Sequence, residues 1–326
     1  MATAASVTQP RAEAFAFLIE AFAASAAVRA ADRLGVLARL DAGPADLGEL
    51  AAACAISERG AGLLLRALAS LGLVEADQQG RWRAALPSLS KLGVWPRLCD
   101  GLDEVVRHGR PGMHWDTPDG AASLYPSAAA QLGTVLAGVA EEAARHLPAG
   151  PRVLDAGAGA APWSLAVAAR DPACRVTAFD LPDVLPATRR AVAAAGRAAQ
   201  FRFAGGDLFS TVFDQAAYDL VIAGNLCHLF SEAANRDLLA RLSQALRDGG
   251  ALAVIDVVPD TQPASRSLAL YELSLFLRTA HGQVYPLAAY EQWLHDAGLG
   301  PVERWRLCGQ PPLTLLTARK GQARQS

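Results

Sequence analysis

One aspartate and two glycines lie close together at the point where an apolar segment ends. Residues 153–163 begin as an apolar run and turn through Gly157 and Gly159 into an alanine- and leucine-rich helical pattern. This strand, tight loop and helix follow the order of a nucleotide-binding βαβ unit. A second apolar run, 175–179, ends in Asp180, whose carboxylate could accept hydrogen bonds from two ribose hydroxyls. The spacing predicts a nucleoside-cofactor site.

The loop composition favours one cofactor over another. A dinucleotide site usually carries a third glycine, so that a pyrophosphate can rest on the helix N-terminus. Here Ala161 and Pro162 follow the second glycine, and Asp155 places a negative charge in the loop. That charge would repel a pyrophosphate and suits the cationic S-adenosylmethionine. An ordinary strand, loop and helix without a ligand is the alternative.

Length and composition limit the classes of protein. The chain has 326 residues, a net charge of -2 and a pI near 6.3, so it lacks the basic excess that nucleic-acid binding requires. We expect no transmembrane helix and no signal peptide. The five cysteines have no metal-ligand spacing and are expected to be reduced thiols in a cytoplasmic protein.

The N-terminal part reads as a winged helix. Apolar residues recur at helical spacing over 11–40, two short helices begin near Asp46 and Ser57, and two strands flank a turn at 79–80. A recognition helix for DNA needs exposed polar side chains. The helix over 57–71 has mainly leucine and alanine, so we expect dimerisation rather than DNA binding.

The rest of the chain predicts an α/β fold with a doubly wound sheet. After the first two strands, we expect strands over 201–203, 218–223 and 251–257, helices over 183–195, 231–247 and 287–297, a turn over 247–250, and a C-terminal strand pair, 302–307 and 313–318. The loops after the strands gather at one edge of such a sheet, where a ligand binds. Asp207 could accept a hydrogen bond from an adenine amino group, with Leu208 beside the ring; a simple turn aspartate is the alternative.

A proline-rich bridge separates the two predicted domains. Residues 87–120 are expected to be mostly loop, followed by a helix over 127–147. The predicted division is a winged-helix dimerisation domain over 1–100, a helical and loop bridge over 101–148, and a catalytic domain over 149–326. The aromatic and sulfur-containing side chains of the bridge could line a substrate pocket or pack a domain junction.

Taken together, these motifs resemble the small-molecule S-adenosylmethionine-dependent O-methyltransferases, which include plant caffeate enzymes and antibiotic-tailoring enzymes. The resemblance covers nearly the whole chain and rests on the N-terminal winged helix and on five segments: 155–159, 180–182, 206–209, 227–228 and 248–250. It implies a class I methyltransferase Rossmann-like fold, a homodimer formed through the N-terminal domain, a small-molecule acceptor, and no partnership with nucleic acid or membrane.

The resemblance also implies residue roles. In the family, Asp155, Gly157 and Gly159 would border the methionine part of the cofactor, Asp180 would hold the ribose, and Asp207 and Leu208 the adenine. Leu181, Gly206 and Asn225 are expected to be further cofactor contacts. His228 would be the catalytic base, and Asp256, 28 residues later, would orient it. The reaction would convert S-adenosylmethionine to S-adenosylhomocysteine without a metal.

Three positions depart from the family pattern. The family's third loop glycine is replaced near Ala161, Leu229-Phe230 replaces an Asp-Trp pair, and Val284 stands where a second orienting glutamate is expected. Transfer to carbon or nitrogen, or a non-methylating relative that keeps the cofactor, therefore stays an alternative. An NAD-dependent oxidoreductase and a DNA-binding regulator are the other classes considered.

The acceptor is expected to lie between the bridge and the segment after the fifth strand. Large aromatic side chains in both places could stack a flat acceptor. The predicted acceptor-site residues are Met113, His114, Trp115, Tyr125, Tyr271, Phe276 and Arg278.

Overall fold

A computed structural model describes residues 9–86, 89–112, 114–148, 150–259, 265–309 and 311–321 of the chain. The chain divides into two compact units, residues 1–100 and residues 101–326. Met113 of the predicted acceptor site lies outside the described residues.

The described part of the first unit contains five α-helices, one 3-10 helix and a two-stranded wing. The elements are α1 (Gln9–Arg33), α2 (Val36–Asp41), α3 (Leu47–Ala53), α4 (Glu58–Ser70), β1 (Val74–Ala76), β2 (Trp82–Ala84), a 3-10 helix (Leu89–Gly93) and α5 (Val94–Cys99). The sequence signals for the two helix starts are confirmed. Asp46 and Glu49 form a reciprocal capping box on α3, and the Ser57 hydroxyl accepts the Gly60 N–H at the start of α4.

An apolar face of α1 is exposed in the single chain. Its exposed side chains include Phe15, Leu18, Ile19 and Phe22, which are 47% to 69% accessible. A segment of this helix, Glu13–Arg33, is long and apolar enough to cross a membrane, and little of it is buried within the chain. The core helices of soluble proteins and signal sequences pass the same test of length and composition, so the expectation of no transmembrane helix stays a prediction.

The second unit is a seven-stranded sheet covered by helices. Its elements are α6 (Leu102–His108), α7 (Pro118–Ala144), β3 (Arg152–Ala156), α8 (Pro162–Arg170), β4 (Arg175–Asp180), α9 (Leu185–Ala194), β5 (Phe201–Gly205), β6 (Tyr218–Gly224), α10 (Glu232–Ala245), β7 (Leu246–Val257), α11 (Arg266–Arg278), α12 (Leu287–Asp296), β8 (Glu303–Arg306) and β9 (Leu313–Arg319). Two further 3-10 turns lie at Ala198–Gln200 and Cys227–Leu229.

The strand order is β5-β4-β3-β6-β7-β9-β8, with the first five strands parallel and β9 antiparallel to both of its neighbours. Both faces of the sheet are buried. Along β6, Leu220 and Ile222 pack into one core and Val221 and Ala223 into the other. The chain order reverses between β3 and β6, which is where open α/β sheets bind ligands.

Three local expectations are wrong. The described residues of 87–120 include a 3-10 helix and two short α-helices, where mostly loop was expected. The pattern did not predict these helices, because six- and seven-residue helices give little periodic signal and glycines at 101 and 109 flank α6. Helix α7 begins at Pro118 instead of residue 127, with the Thr117 hydroxyl accepting the Gly120 N–H as its cap. The segment 247–250 is part of the long strand β7, beside an irregularity in its pairing with β6.

Candidate active site

A cavity opens at the carboxyl ends of β3, β4, β5 and β6. It encloses about 990 Å³ of empty space, its mouth included, which is enough for a cofactor and a small acceptor. The loops after the four strands line it from below, and α7 with the segment 115–117 lines it from the side. Ten of the predicted site residues line this cavity: Trp115, Tyr125, Gly157, Gly159, Asp180, Leu181, Gly206, Asp207, Leu208 and Asn225.

The loop after β3 takes a backbone form that needs glycine. Gly157 and Gly159 have φ values of 72° and 55°, in the left-handed region that other residues avoid. The Gly157 and Ala158 N–H groups both donate to the Phe179 carbonyl, which fixes the loop against the end of β4. Ala161, at φ 57°, takes a similar form with a side chain, so the missing third glycine does not prevent the turn.

Helix α7 packs closely against this loop. A Cβ added to Gly133 would lie 2.7 Å from the Cβ of Ala160. Position 133 therefore admits only glycine without a shift of the helix or of the loop. The same helix supplies Tyr125 and Leu136 to the cavity wall, so its distance from the loop helps to set the width of the site.

Asp180 stands at the tip of β4 beside the glycine loop. Its Oδ2 accepts the Gly159 N–H at 2.7 Å, and its Oδ1 accepts the Leu181 N–H at 2.7 Å. Burial raises the pKa of this carboxyl to about 6, against the lowering effect of the two N–H groups. Each oxygen keeps a further lone pair, so the carboxylate can accept two more hydrogen bonds from a ligand.

Asp155 lies beneath the loop rather than in the cavity wall. It is almost fully buried, and its Oδ2 accepts a 2.5 Å hydrogen bond from the Ser164 hydroxyl. Its Oδ1 has no hydrogen-bond partner. Burial raises the pKa of this carboxyl to about 7, the Ser164 hydrogen bond lowers it, and the charge of Asp180 raises it further. Asp155 is therefore not among the described residues that line the cavity, and its predicted contact with the cofactor stays a prediction.

The charge of the cavity suits a cation. Its charged lining side chains are Asp116, Asp180 and Asp207, and among the described lining residues none is basic. Because S-adenosylmethionine carries a sulfonium and an ammonium and no phosphate, the lining fits that cofactor and not a dinucleotide. Asn225, at φ 54°, adds an amide whose Oδ1 is buried without a hydrogen-bond partner.

The Asp207 carboxylate is already used by its own loop. Its Oδ1 accepts the N–H groups of Phe209 and Ser210, at 2.6 and 3.2 Å. This is the turn aspartate that the sequence left open as an alternative. Because Asp207 still lines the cavity and its Oδ2 has no part in the turn, the two uses are compatible.

His228 and Asp256 form a buried pair behind the cavity. The His228 Nδ1 lies 2.6 Å from Asp256 Oδ1, and the His228 N–H donates to Asp256 Oδ2 at 3.0 Å. The side chains are 5% and 0% exposed, and neither lines the cavity. Leu229 and Phe230, which immediately follow the histidine, line it instead.

Aromatic and basic side chains connect this pair to the cavity wall. The Tyr271 ring meets the His228 ring edge-on, with centroids 5.6 Å apart. The Arg278 guanidinium lies 5.6 Å from the Tyr271 ring and 5.9 Å from the Trp115 ring. Val284 packs against the hydrophobic core, so no carboxylate occupies the place of the family's second orienting glutamate.

The predicted acceptor residues are only partly brought together. Trp115 and Tyr125 line the cavity, whereas His114, Tyr271, Phe276 and Arg278 do not. Tyr271 and Arg278 lie on α11, a helix that the sequence pattern did not predict. The Arg278 guanidinium lies over both the Tyr271 ring and the ring of Trp115, which lines the cavity. Asp116 and Trp163 also line the cavity and were not predicted from the sequence, although Asp116 directly follows the predicted residue Trp115.

Fold and site together define the class of protein: a class I methyltransferase with an N-terminal helical dimerisation domain. Solved structures share the fold across nearly the whole chain. Human N-acetylserotonin methyltransferase, in complex with S-adenosylmethionine, has a TM-score of 0.73 at 23% identity and covers 99% of this chain and 100% of that one. The mitomycin 7-O-methyltransferase has a TM-score of 0.69 at 22% identity, with 96% and 99% covered.

The chain belongs to the O-methyltransferase family. Residues 114–300 match the O-methyltransferase domain, and residues 17–92 match the O-methyltransferase dimerisation domain. The chain is 30% identical to the 8-O-methyltransferase of tetracenomycin polyketide synthesis from Streptomyces glaucescens, over 93% of this chain and 95% of that one. It is 28% identical to the 3-hydroxy-5-methyl-1-naphthoate 3-O-methyltransferase of Streptomyces sahachiroi, over 85% and 86%. It is an S-adenosylmethionine-dependent O-methyltransferase.

Proposed function

We propose that the enzyme methylates a phenolic hydroxyl of a polyketide-type aromatic natural product, with His228 as the general base and Asp256 as its positioning residue. The names of the two bacterial relatives, a tetracenomycin enzyme and a hydroxynaphthoate enzyme, support this class of acceptor. The observation that carries the mechanism is the double contact between His228 and Asp256.

The double contact fixes both the position and the tautomer of the histidine. Because a buried carboxylate faces Nδ1 at 2.6 Å, we assign the imidazole proton to Nδ1. Nε2 is then left with a lone pair, as a general base requires. The Val257 N–H also donates to Asp256 Oδ1, at 2.8 Å, so the carboxylate is itself held in place. Its negative charge stabilises the imidazolium that forms when the base accepts a proton.

The free energies favour proton removal during attack. A phenol has a pKa of about 10 and a histidine about 6.5, so complete proton transfer beforehand would cost roughly 5 kcal/mol. A base that removes the proton as the carbon–oxygen bond forms avoids much of this cost, and positioned bases contribute about 10²- to 10⁴-fold. Bound S-adenosylmethionine supplies an electrophilic methyl group on a sulfonium; the chain aligns the acceptor and excludes water.

The cofactor is proposed to occupy the side of the cavity formed by the strand ends. Asp180 would accept hydrogen bonds from the ribose hydroxyls, and the loop of Gly157 and Gly159 would border the methionine part. Asp207 and Leu208 would contact the adenine. Leu181, Gly206 and Asn225 complete the proposed contacts, and Asp155 acts from beneath the loop through its charge.

Access to His228 requires a side-chain movement. The His228 ring is buried and does not line the cavity, whereas Leu229 and Phe230 do, and the Tyr271 ring packs edge-on against the His228 ring. An acceptor that reaches Nε2 must displace at least one of these side chains. Catalytic contacts that tighten only when the ligands bind are common in enzymes.

The N-terminal unit is proposed to form a homodimer. The exposed apolar face of α1 belongs to a region that matches the dimerisation domain, and a second copy would cover it. We propose with it the predicted domain division: a dimerisation domain over 1–100, a bridge over 101–148 and a catalytic domain over 149–326.

A panel of hydroxynaphthoic acids and hydroxyanthraquinones, incubated with S-adenosylmethionine, tests the function. We expect a methyl ether by mass spectrometry for at least one acceptor and a fall of about 10²- to 10⁴-fold in kcat with His228→Gln. His295→Gln, at an exposed histidine, is the matched control. Near-normal turnover by His228→Gln would falsify the role of the base.

Transfer to carbon or nitrogen is the second candidate. The observation that favours it is Val284, whose packing in the hydrophobic core leaves the histidine with one orienting acid. Fragmentation of the product decides between the two, because an O-methyl ether and a C-methyl or N-methyl group give different fragments. A methyl group on carbon or nitrogen would replace the proposal of O-transfer to a phenol.

A further inference from the structure

Asp116 is an acidic residue in the wall of an otherwise largely apolar part of the cavity. Most of the other residues that line the cavity are apolar, among them Trp115, Ala121, Leu229 and Phe230. It lies in the short segment that leads into α7, which comes before the glycine loop in the chain. None of the contacts proposed above for the cofactor or for the general base involves it.

The segment around Asp116 is held firmly against the chain after α11. Asp116 Oδ2 accepts the N–H groups of Ala280 and His281, at 2.9 and 3.1 Å. The Trp115 N–H donates to the Arg278 carbonyl at 2.8 Å. These three hydrogen bonds fix the orientation of the carboxylate, so its other oxygen cannot turn away to solvent without breaking two of them.

The other carboxylate oxygen lacks a partner. Asp116 Oδ1 is shielded from solvent and accepts no hydrogen bond. A buried acceptor without a donor is unfavourable, and a donor that satisfies it adds affinity. Asp116 lines the cavity, but Oδ1 itself has almost no surface open to it, so a hydroxyl of the molecule that fills the cavity supplies this donor once a neighbouring side chain of the wall moves aside.

We propose that Asp116 determines acceptor specificity by accepting a hydrogen bond from a second hydroxyl of the acceptor. The proposal rests on the proposed function for the aromatic class of the acceptor. A ring with one hydroxyl would leave Oδ1 unpaired, whereas a ring with two would satisfy Oδ1 with one and present the other for methylation. A site that hydrogen-bonds a hydroxyl rejects the analogue that lacks it.

Binding measurements test this without turnover. The protein loaded with S-adenosylhomocysteine would be titrated with 1-naphthol and with 1,3-, 1,5- and 1,8-dihydroxynaphthalene. Because hydrogen bonds to charged groups are strong, we expect at least one diol to bind about 10- to 100-fold more tightly than 1-naphthol. Diols that all bind no more tightly than 1-naphthol, or show no binding, would overturn the proposal before any variant is made.

The variant Asp116→Asn reverses the hydrogen-bond character of the site. Its amide oxygen would take the N–H groups of Ala280 and His281, which leaves the NH₂ group, a donor, where Oδ1 lies. We expect most of the preference for the diol over 1-naphthol to be lost, because a hydrogen bond with a neutral amide is weaker than one to a carboxylate. The corresponding methoxy-1-naphthol, whose ether oxygen only accepts, should bind more tightly to the variant than to the unaltered enzyme. Asp119→Asn, at an exposed position in the first turn of α7, is the matched control and should keep the preference for the diol.

The outcomes separate this proposal from that of the base. An Asp116→Asn protein that keeps the diol preference overturns the role of Asp116, whatever His228→Gln does to turnover. A diol preference that Asp116→Asn largely removes, together with normal turnover by His228→Gln, supports the role of Asp116 and contradicts the role of His228 as the base. If the variant does not fold, the comparison of diol and 1-naphthol on the unaltered enzyme still decides.

Discussion

His228 and Asp256 are joined by two hydrogen bonds, one from the imidazole ring and one from the histidine's own backbone N–H. The two carboxylate oxygens are used separately, Oδ1 for the ring and Oδ2 for the backbone. Because 3-10 geometry at 227–229 turns the backbone N–H toward the end of β7, ring and backbone reach one carboxylate. Asp256 thus holds His228 both at its backbone and at its ring.

Replacing the carboxylate by an amide should spare the fold and impair the chemistry. Asp256→Asn can still accept the backbone N–H, but its NH₂ group or its oxygen must then face Nδ1 without a charge. We expect kcat to fall by about 10²- to 10⁴-fold, because the amide no longer holds the proton on Nδ1 and no longer stabilises the imidazolium. The affinity for S-adenosylhomocysteine should change little, since Asp256 does not line the cavity. A kcat within threefold of the unaltered enzyme contradicts the positioning role.

Cofactor binding should depend on pH because of two buried acids. Without cofactor the pKa is about 6 for Asp180 and about 7 for Asp155, so each carboxyl takes up a proton as pH falls. A cation favours the ionised forms. The affinity for S-adenosylmethionine should therefore rise between pH 5 and pH 8, by up to about tenfold per pH unit per proton released.

Calorimetry in buffers of different ionisation enthalpy measures this proton release. Asp155→Asn should remove the part of the release centred near pH 7 and leave the part that belongs to Asp180 near pH 6. A dissociation constant that does not vary between pH 5 and pH 8, or an uptake of protons, would show that the two acids are not linked to the cofactor.

Two of the three glycines of α7, Gly133 and Gly138, predict opposite effects of the same substitution. At Gly133 an added Cβ would lie 2.7 Å from Ala160, whereas at Gly138 nothing lies within 4 Å. We expect Gly133→Ala to lower the free energy of unfolding by about 1–3 kcal/mol and to weaken S-adenosylhomocysteine binding. Gly138→Ala should raise it by about 0.5–1 kcal/mol through helix propensity. Equal effects in denaturant titrations would contradict the close approach of helix and loop.

The apolar face of α1 predicts a dimer that a charge should separate. Phe22 is 69% exposed in the single chain. Phe22→Asp would place a carboxylate in the proposed interface, so sedimentation should show a shift from dimer to monomer. Val212→Asp, at a residue that is 87% exposed in the other unit, should leave the dimer intact. An unaltered enzyme that sediments as a monomer contradicts the homodimer.

Local signals in the sequence were enough to predict much of the fold. Asp46 and Ser57 cap helices as predicted, because a cap depends on residues three positions away. The glycines before α8 and the aspartate after β4 occupy the expected turn and strand tip, because parallel strands bring their carboxyl ends to one edge. These features need no knowledge of distant contacts.

Other features depend on tertiary contacts that a linear pattern does not contain. The burial of His228 and the position of Tyr271 against it follow from the packing of α11, a helix that was not predicted. Asp116 acquires its two N–H donors from residues more than 160 positions away in the chain. Asp116 and Tyr271 were visible in the sequence as residue types, whereas the groups that they contact were not. The roles proposed for the site residues remain predictions.

The most direct test of the central claim varies the acidity of the acceptor. Single-turnover methyl transfer would be measured for an ordinary naphthol and for a nitro-substituted naphthol that is already ionised at neutral pH, with the unaltered enzyme and with His228→Gln. If His228 is the base, the substitution should slow transfer to the ordinary naphthol by about 100-fold or more and leave transfer to the ionised one nearly unchanged. Equal slowing of both acceptors, or of neither, would contradict the assignment of His228 as the general base.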